Sequence, residues 1–139
     1  IPESLSRTTL GSWNPDTFVN LELSLKLGDE LGGHLVYGHV DGLGQLAEIR
    51  QVGESRVMRV SIPEQLSKFF AEKGSVTIDG VSLTVSAVSA AHGDAWFEVS
   101  LIPHTLSVTT LGALKAGDKV NLEVDMLARY VARMLEWRA

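Results

Sequence analysis

The chain has 139 residues, enough for one ordinary domain, and its 45% hydrophobic content belongs to a globular rather than a disordered protein. A formal net charge of −5 argues against a nucleic-acid footprint, and the lack of cysteine excludes disulfides and thiolate metal sites and is consistent with the cytoplasm. No apolar run approaches the ~20 residues that a membrane-spanning helix needs.

Residues 1–12 read as the end of a strand and a polar, turn-like run, and Asn14-Pro15-Asp16 is a strong turn signal. Val19, Leu21, Leu23, Leu25 and Leu27 alternate with Asn20, Glu22, Ser24 and Lys26, which predicts a half-buried strand over 19–27. The glycines of 27–33 mark a linker. Short strands follow: Leu35–Val40 leading into Gly44–Gln51, then Arg56–Ile62 after the Gly53 turn. A short helix beginning at Ser61 or Pro63 carries Leu66, Phe69 and Phe70 on its apolar face and ends at Gly74. Val76–Ile78 and Val81–Ala87 flank Asp79-Gly80, a type I′ hairpin signal. Ala95–Ile102 and Lys119–Val124 complete the set. The pattern predicts an all-β fold: a six-stranded antiparallel barrel with a short internal helix. From Asp125, a candidate N-cap, the period becomes helical, with Leu127, Tyr130, Val131, Met134 and Leu135 on one face. That helix either packs on its own barrel or joins copies of itself.

An internal repeat organises the chain. Pro2-Glu3-Ser4-Leu5-Ser6-Arg7-Thr8-Thr9-Leu10-Gly11 returns 101 residues later as Pro103-His104-Thr105-Leu106-Ser107-Val108-Thr109-Thr110-Leu111-Gly112. Val19-Asn20-Leu21-Glu22 returns in the same register as Val120-Asn121-Leu122-Glu123. Two blocks in one register imply tandem copies of a module, with roughly 67 residues of the first copy expected ahead of Ile1. The expected units are 1–32, the tail of a first copy with its linker; 33–124, a complete second barrel; and 125–139, a C-terminal helix.

Four clusters could carry chemistry. His34 and His39 are five apart, which in a strand puts them on opposite faces; that is a poor metal pair, and a hydrogen-bonded barrel histidine is the plainer reading of each. In Val81–Val85 the apolar side chains fill the barrel, so Ser82 and Thr84 point outward, onto either an ordinary wet face or a groove with two hydroxyls. Lys73 and Asp79 stand at opposite ends of the first strand of that hairpin. Pro103 ends a strand, leaving backbone groups near Leu101–Leu106 for water or for a flat ligand. Asp125 is most simply a helix cap.

These stretches carry a resemblance. Gly32-Gly33-His34-Leu35 with Gly38-His39, Lys73–Val85, Leu101–Leu106 and Thr109–Gly112 stand in the order of the riboflavin synthase alpha-chain family, which the whole chain resembles. The resemblance implies two tandem six-stranded Greek-key barrels and a C-terminal helix that assembles a homotrimer, with no metal and no organic cofactor. It implies dismutation of two 6,7-dimethyl-8-ribityllumazine molecules into riboflavin and 5-amino-6-ribitylamino-uracil by transfer of a four-carbon unit. Most of the N-terminal barrel is missing from this chain by that comparison. The resemblance assigns catalytic parts to Ser82, His39, Lys73, Asp79 and Asp125. It assigns substrate contacts to Ile1, Pro2, Glu3, Ser4, Gly38, His39, Val40, Lys73, Ser82, Leu83, Thr84, Leu101, Ile102, Pro103, His104, Thr105 and Leu106. The competing readings are a non-catalytic lumazine- or flavin-carrying barrel and an inactive fragment that only assembles.

Overall fold

The computed structural model describes residues 1–90 and 93–138, so Ala139, the end of the expected helical unit, lies outside the described residues. Six strands form a closed antiparallel barrel: β1 (Gly42–Val52), β2 (Ser55–Ser61), β3 (Ser75–Ile78), β4 (Val81–Val88), β5 (Trp96–Leu101) and β6 (Lys119–Val124). Around the barrel they run β1-β2-β5-β4-β3-β6, each antiparallel to its neighbours. Closure leaves no strand edge without a partner. The expected fold class holds.

Alternation builds the interior. Val76 and Ile78 on β3, Val85 on β4, Phe97, Val99 and Leu101 on β5, and Val120 and Leu122 on β6 are buried together with Leu46, Met58 and Val60. Each such aliphatic side chain contributes about 1.5–3 kcal/mol when fully buried. The β3–β4 connection is the expected tight turn, with Asp79 at φ 46° and Gly80 at φ 82°. The short helix after β2 is a 3₁₀ segment, Glu64–Phe69, whose Leu66 is buried. On the outer face, Arg50 and Arg59 each reach Glu98 at 2.8 and 2.7 Å, and the Arg59 guanidinium lies over the Trp96 ring. Burial pushes the Glu98 carboxyl up, but bonds from the two guanidinium groups outweigh it and hold it below its ordinary value.

The N-terminal residues depart from expectation. Residues 1–12 hold no strand end: Pro2–Arg7 is a helix, α1, and Thr9–Ser12 a 3₁₀ turn. The same pair follows β5, as helix α2 (Pro103–Val108) and the turn Thr110–Ala113. Each proline occupies the first helical turn, where its missing N–H costs nothing, so it starts a helix as well as ending a strand. The repeat extends to single bonds: Thr8 Oγ1 donates to the Ser4 carbonyl at 2.6 Å, and Thr109 Oγ1 to the Thr105 carbonyl at 2.7 Å.

Two expected strands are not formed. Residues 19–27 and 35–40 belong to no strand. Alternation marks a face but cannot supply a ladder partner, and the closed barrel has no open edge to offer one. The opposite-face argument for His34 and His39 therefore lapses, because neither residue lies in a strand.

Helix α3 (Met126–Glu136) is capped by Asp125, whose carboxylate accepts the Leu127 N–H at 3.1 Å. It touches the 3₁₀ segment through Lys68 and Glu136 at 3.2 Å and is ion-paired through Arg129 to Asp41. Its apolar face, Leu127, Tyr130, Val131, Met134 and Leu135, stays exposed. Among the described residues no helix is long and apolar enough to cross a membrane.

Candidate functional site

The β3–β4 register fixes a row of polar side chains on the outside of the barrel. Thr77 stands opposite Ser82 on β4 and opposite Glu123 on β6, so the three side chains lie side by side across three strands. Segment 33–41 lies across this row as a strap. The His34 N–H donates to Ser82 Oγ at 3.3 Å, and His34 Nδ1 is 2.7 Å from the same oxygen. His34 Nε2 is 3.2 Å from Thr77 Oγ1. The set closes when Ser82 gives its hydroxyl proton to Nδ1 and the ring proton sits on Nε2, donating to Thr77. Thr77 is consequently buried although it points away from the core.

Further along the strap, Glu123 accepts the N–H groups of Tyr37 and His39, each at 2.7 Å. Asp41 accepts the Val124 N–H at 2.7 Å and pairs with Arg129 of α3. Gly33 shows how close the strap lies: a Cβ there would stand 2.5 Å from Ser82 Oγ.

The other expected residues are distributed around this row. Ser82 and Thr84 are exposed on the outer face of β4, as their alternation predicts. Val85 pairs with Val99, so the antiparallel step carries the Leu101-Ile102 end of β5 alongside the Ser82–Leu83 end of β4. Ile102, Pro103 and His104 are exposed there, and Thr105 is half-buried. Leu101 is a core residue, and Leu83 and Leu106 pack against that core, so their side chains face the barrel. Gly38 and His39 are exposed on the strap with Val40 half-buried, and the rings of Tyr37 and His39 stack at 6.0 Å. Lys73 is exposed beyond the far end of β3, with φ 65° and its N–H on the Val85 carbonyl. Ile1, Pro2, Glu3 and Ser4 lie at the start of α1, and the 3₁₀ turn after it joins the barrel through Thr9 and Asn121.

Two acids have structural partners. Asp79 Oδ1 accepts the Asn121 N–H at 2.8 Å and its side-chain amide at 3.0 Å. Burial raises the Asp79 carboxyl above its ordinary value, and the Asn121 bonds only partly oppose this. Asp125 is occupied by its cap. Among the described residues, no three His, Asp or Glu side chains gather as a metal-ligand set.

Sequence reasoning missed His34, Thr77 and Glu123 as members of the row. The Asp79-Gly80 hairpin already implied that Thr77 faces Ser82, so one of the three was within reach. The approach of His34 and the backbone bonds to Glu123 are long-range contacts with no local signal.

Residues 37–125 match the lumazine-binding domain family. The chain belongs to that family. The chain is 52% identical over 136 residues to a riboflavin synthase of Brucella abortus, covering 98% of this chain and 65% of that protein. It is 47% identical over 133 residues to a riboflavin synthase of Mycobacterium tuberculosis, covering 96% of this chain and 66% of that protein. The chain thus spans about two thirds of the length of these curated relatives. Among solved structures, LumP complexed with riboflavin superposes with a TM-score of 0.75 at 26% identity, covering 88% of this chain and 64% of that one. LumP complexed with 6,7-dimethyl-8-(1'-D-ribityl) lumazine superposes at 0.71 and 22% identity, covering 85% and 60%, a likeness of fold.

Proposed function

We propose that this lumazine-binding barrel is the second barrel of a riboflavin synthase. One 6,7-dimethyl-8-ribityllumazine molecule transfers a four-carbon unit to a second, giving riboflavin from the acceptor and 5-amino-6-ribitylamino-uracil from the donor. The observation that carries this reading is the hydroxyl row on β4 and β3 under His34, in a chain 52% identical to a named riboflavin synthase. Residues 1–32 are the tail of a first barrel with its linker, 33–124 the second barrel and 125–139 an assembly helix, a division supported by the 101-residue repeat.

The reaction needs an anion at the lumazine 7-methyl group, delocalised into the ring. Donors aimed at the ring oxygens stabilise it, and Lys73 supplies a cation for that purpose. Ser82 and Thr84 offer hydroxyls to the heterocycle, while Ile102 and Thr105 line the neighbouring end of β5. His39, exposed on the strap, serves as a proton carrier for the reaction. His34 joins this list, because its Nδ1 stands where it can take the Ser82 hydroxyl proton. Asp79 contributes a carboxyl that burial raises above its ordinary value. Holding two rings face to face supplies much of the acceleration, since well-oriented pairs reach effective molarities of ~10⁵–10⁸ M. The second ring lies on the first barrel of a neighbouring subunit, at the edge formed there by Ile1–Ser4. The exposed face of α3 assembles the homotrimer, in the cytoplasm, with no metal or organic cofactor.

A non-catalytic lumazine or flavin carrier is the second reading, favoured by the superposition on LumP with riboflavin. One cuvette separates the two. The lumazine is added, its fluorescence is followed, and riboflavin absorbance is recorded. Riboflavin formation supports the synthase; quenching without product supports the carrier or a half-site. No binding removes both. Ser82→Ala and His39→Ala should lower turnover more than they weaken binding, and parent-like turnover would remove their catalytic roles. Deleting 126–138 should reduce the sedimenting mass, and an unchanged mass excludes assembly through α3.

A further inference from the structure

The polar row that runs across β4, β3 and β6 ends on Glu123, a carboxylate only 6% exposed. A buried carboxylate needs compensation, ordinarily from a cation. Among the described residues, no lysine or arginine forms an ion pair with it. Its two oxygens are instead divided between two backbone donors, with Tyr37 N–H on Oε1 and His39 N–H on Oε2, both at 2.7 Å. Those donors flank Gly38, whose φ of 73° turns the chain between them. Segment 35–40 has no ladder to satisfy its amides, so without Glu123 these two N–H groups would lack their protein partner. Charge-assisted bonds of this length are the stronger class of hydrogen bond. The side chain therefore fixes both the height and the direction of the strap over Thr77 and Ser82.

We propose that Glu123 is a positioning residue for the lumazine site. Its carboxylate clamps Tyr37–His39, so that Gly38, His39 and Val40 are held against the hydroxyl row before ligand arrives. The inference rests on the lumazine-binding reading above and adds the device that keeps the site in register. Glutamine cannot replace the clamp. Its amide has one acceptor oxygen, and its NH₂ would face one of the two N–H donors. In this 139-residue chain the repeat offers a control, because the counterpart Glu22 is exposed here and lies outside any strand.

The test compares the parent chain with Glu123→Gln, Gly38→Ala and Glu22→Gln. Gly38→Ala perturbs the strap without touching β6: its Cβ would meet no atom within 4 Å, but the backbone angle is one that side-chain-bearing residues rarely adopt. Lumazine affinity is read by fluorescence, and amide hydrogen exchange is read at Tyr37, His39 and a barrel-core strand. The expected result is faster exchange at Tyr37 and His39, core exchange as in the parent, and lumazine affinity at least tenfold weaker in Glu123→Gln and Gly38→Ala. Glu22→Gln should match the parent. Loosened strap amides with parent-like affinity would overturn the proposal, as would amides that stay protected in Glu123→Gln. If Glu123→Gln does not fold, Gly38→Ala carries the same comparison, and parent-like affinity there overturns it. A parent chain that binds no lumazine removes the site itself, and the proposal with it.

Discussion

Two stretches with nearly the same sequence have different fates. Val120-Asn121-Leu122-Glu123 is part of β6, paired with both β1 and β3. Val19-Asn20-Leu21-Glu22, 101 residues earlier, belongs to no strand. Leu122 is 0% exposed and Leu21 is 91% exposed. The helix and 3₁₀ turn before each stretch are alike, so local propensity works equally in both. The difference is partnership: Val120–Glu123 has a ladder on each side, whereas within these 139 residues Val19–Glu22 has neither of the ladder partners that the rest of its own copy would supply.

The two stretches nevertheless meet, and reciprocally. Asn121 accepts the Thr9 N–H at 2.8 Å and donates to Thr9 Oγ1 at 2.8 Å. Asn20 accepts the Thr110 N–H at 2.8 Å and donates to Thr110 Oγ1 at 3.0 Å. Thr9 and Thr110 are counterparts, as are Asn20 and Asn121. Each copy's asparagine thus holds the other copy's threonine, the pattern expected of a self-complementary contact about a two-fold axis.

The strongest way to break the comparison is in the core. Leu122→Ala should cost about 2–5 kcal/mol, while Leu21→Ala should change stability by less than ~0.5 kcal/mol. Denaturant titration of both variants reads the contrast directly, and equal losses would mean that 19–22 is buried in solution.

The glycines of the two turns give a second contrast. A Cβ on Gly112 would collide with the Leu106 carbonyl oxygen, whereas on Gly11 it would stand 3.0 Å from the matching Leu5 oxygen. Gly112→Ala should therefore lower the melting temperature clearly more than Gly11→Ala. Backbone must move at Gly112, while the first turn needs only a small adjustment.

Cutting one side of the reciprocal contact sharpens the comparison further. Asn121→Ala strips both Thr9 bonds and the amide bond to Asp79, for an expected loss of about 1–3 kcal/mol. Asn20→Ala strips its two Thr110 bonds and its bond to the Asp79 carbonyl at 2.9 Å. Because it sits in an unpaired segment, its loss should be smaller. Amide exchange at Thr9 and at Thr110 should rise in the corresponding variant.

The smallest effect concerns pH. Burial raises the Asp79 carboxyl, so the native state binds this proton more readily than the unfolded chain does. That contribution is fully present below the ordinary carboxylate range and is lost as pH rises through the raised value. Asp79→Asn keeps an acceptor for Asn121 and should gain stability relative to the parent as pH rises through that window. The two should converge in acid, and a difference that grows toward acid would reverse the assignment.

Much of this was legible from residues alone. The Asp79-Gly80 turn, the inward Val81, Leu83 and Val85, the outward Ser82 and Thr84, and the Asp125 cap all follow from short-range rules, and the structure agrees. The helices at Pro2–Arg7 and Pro103–Val108 are not legible locally, because six residues leave too little periodicity to recognise. The segment 35–40 reads locally as the run-in to the strand that follows it. What it lacked was a neighbour, which no local rule reveals.

The sequence by itself determined the barrel and the repeat, because alternation, turn chemistry and self-similarity are encoded within a few residues of one another. Only the tertiary structure decided the rest: which of two matching stretches became a strand, that His34 closes over Ser82, and that Glu123 clamps the strap. Those outcomes depend on contacts between residues 43 to 86 positions apart and, in the reciprocal Thr–Asn pairs, 90 and 112 apart. Closure of the barrel sets where such contacts can form, because it fixes the ladders and leaves the strap at 33–41 to be held by bonds to Ser82, Glu123 and the Leu122 carbonyl.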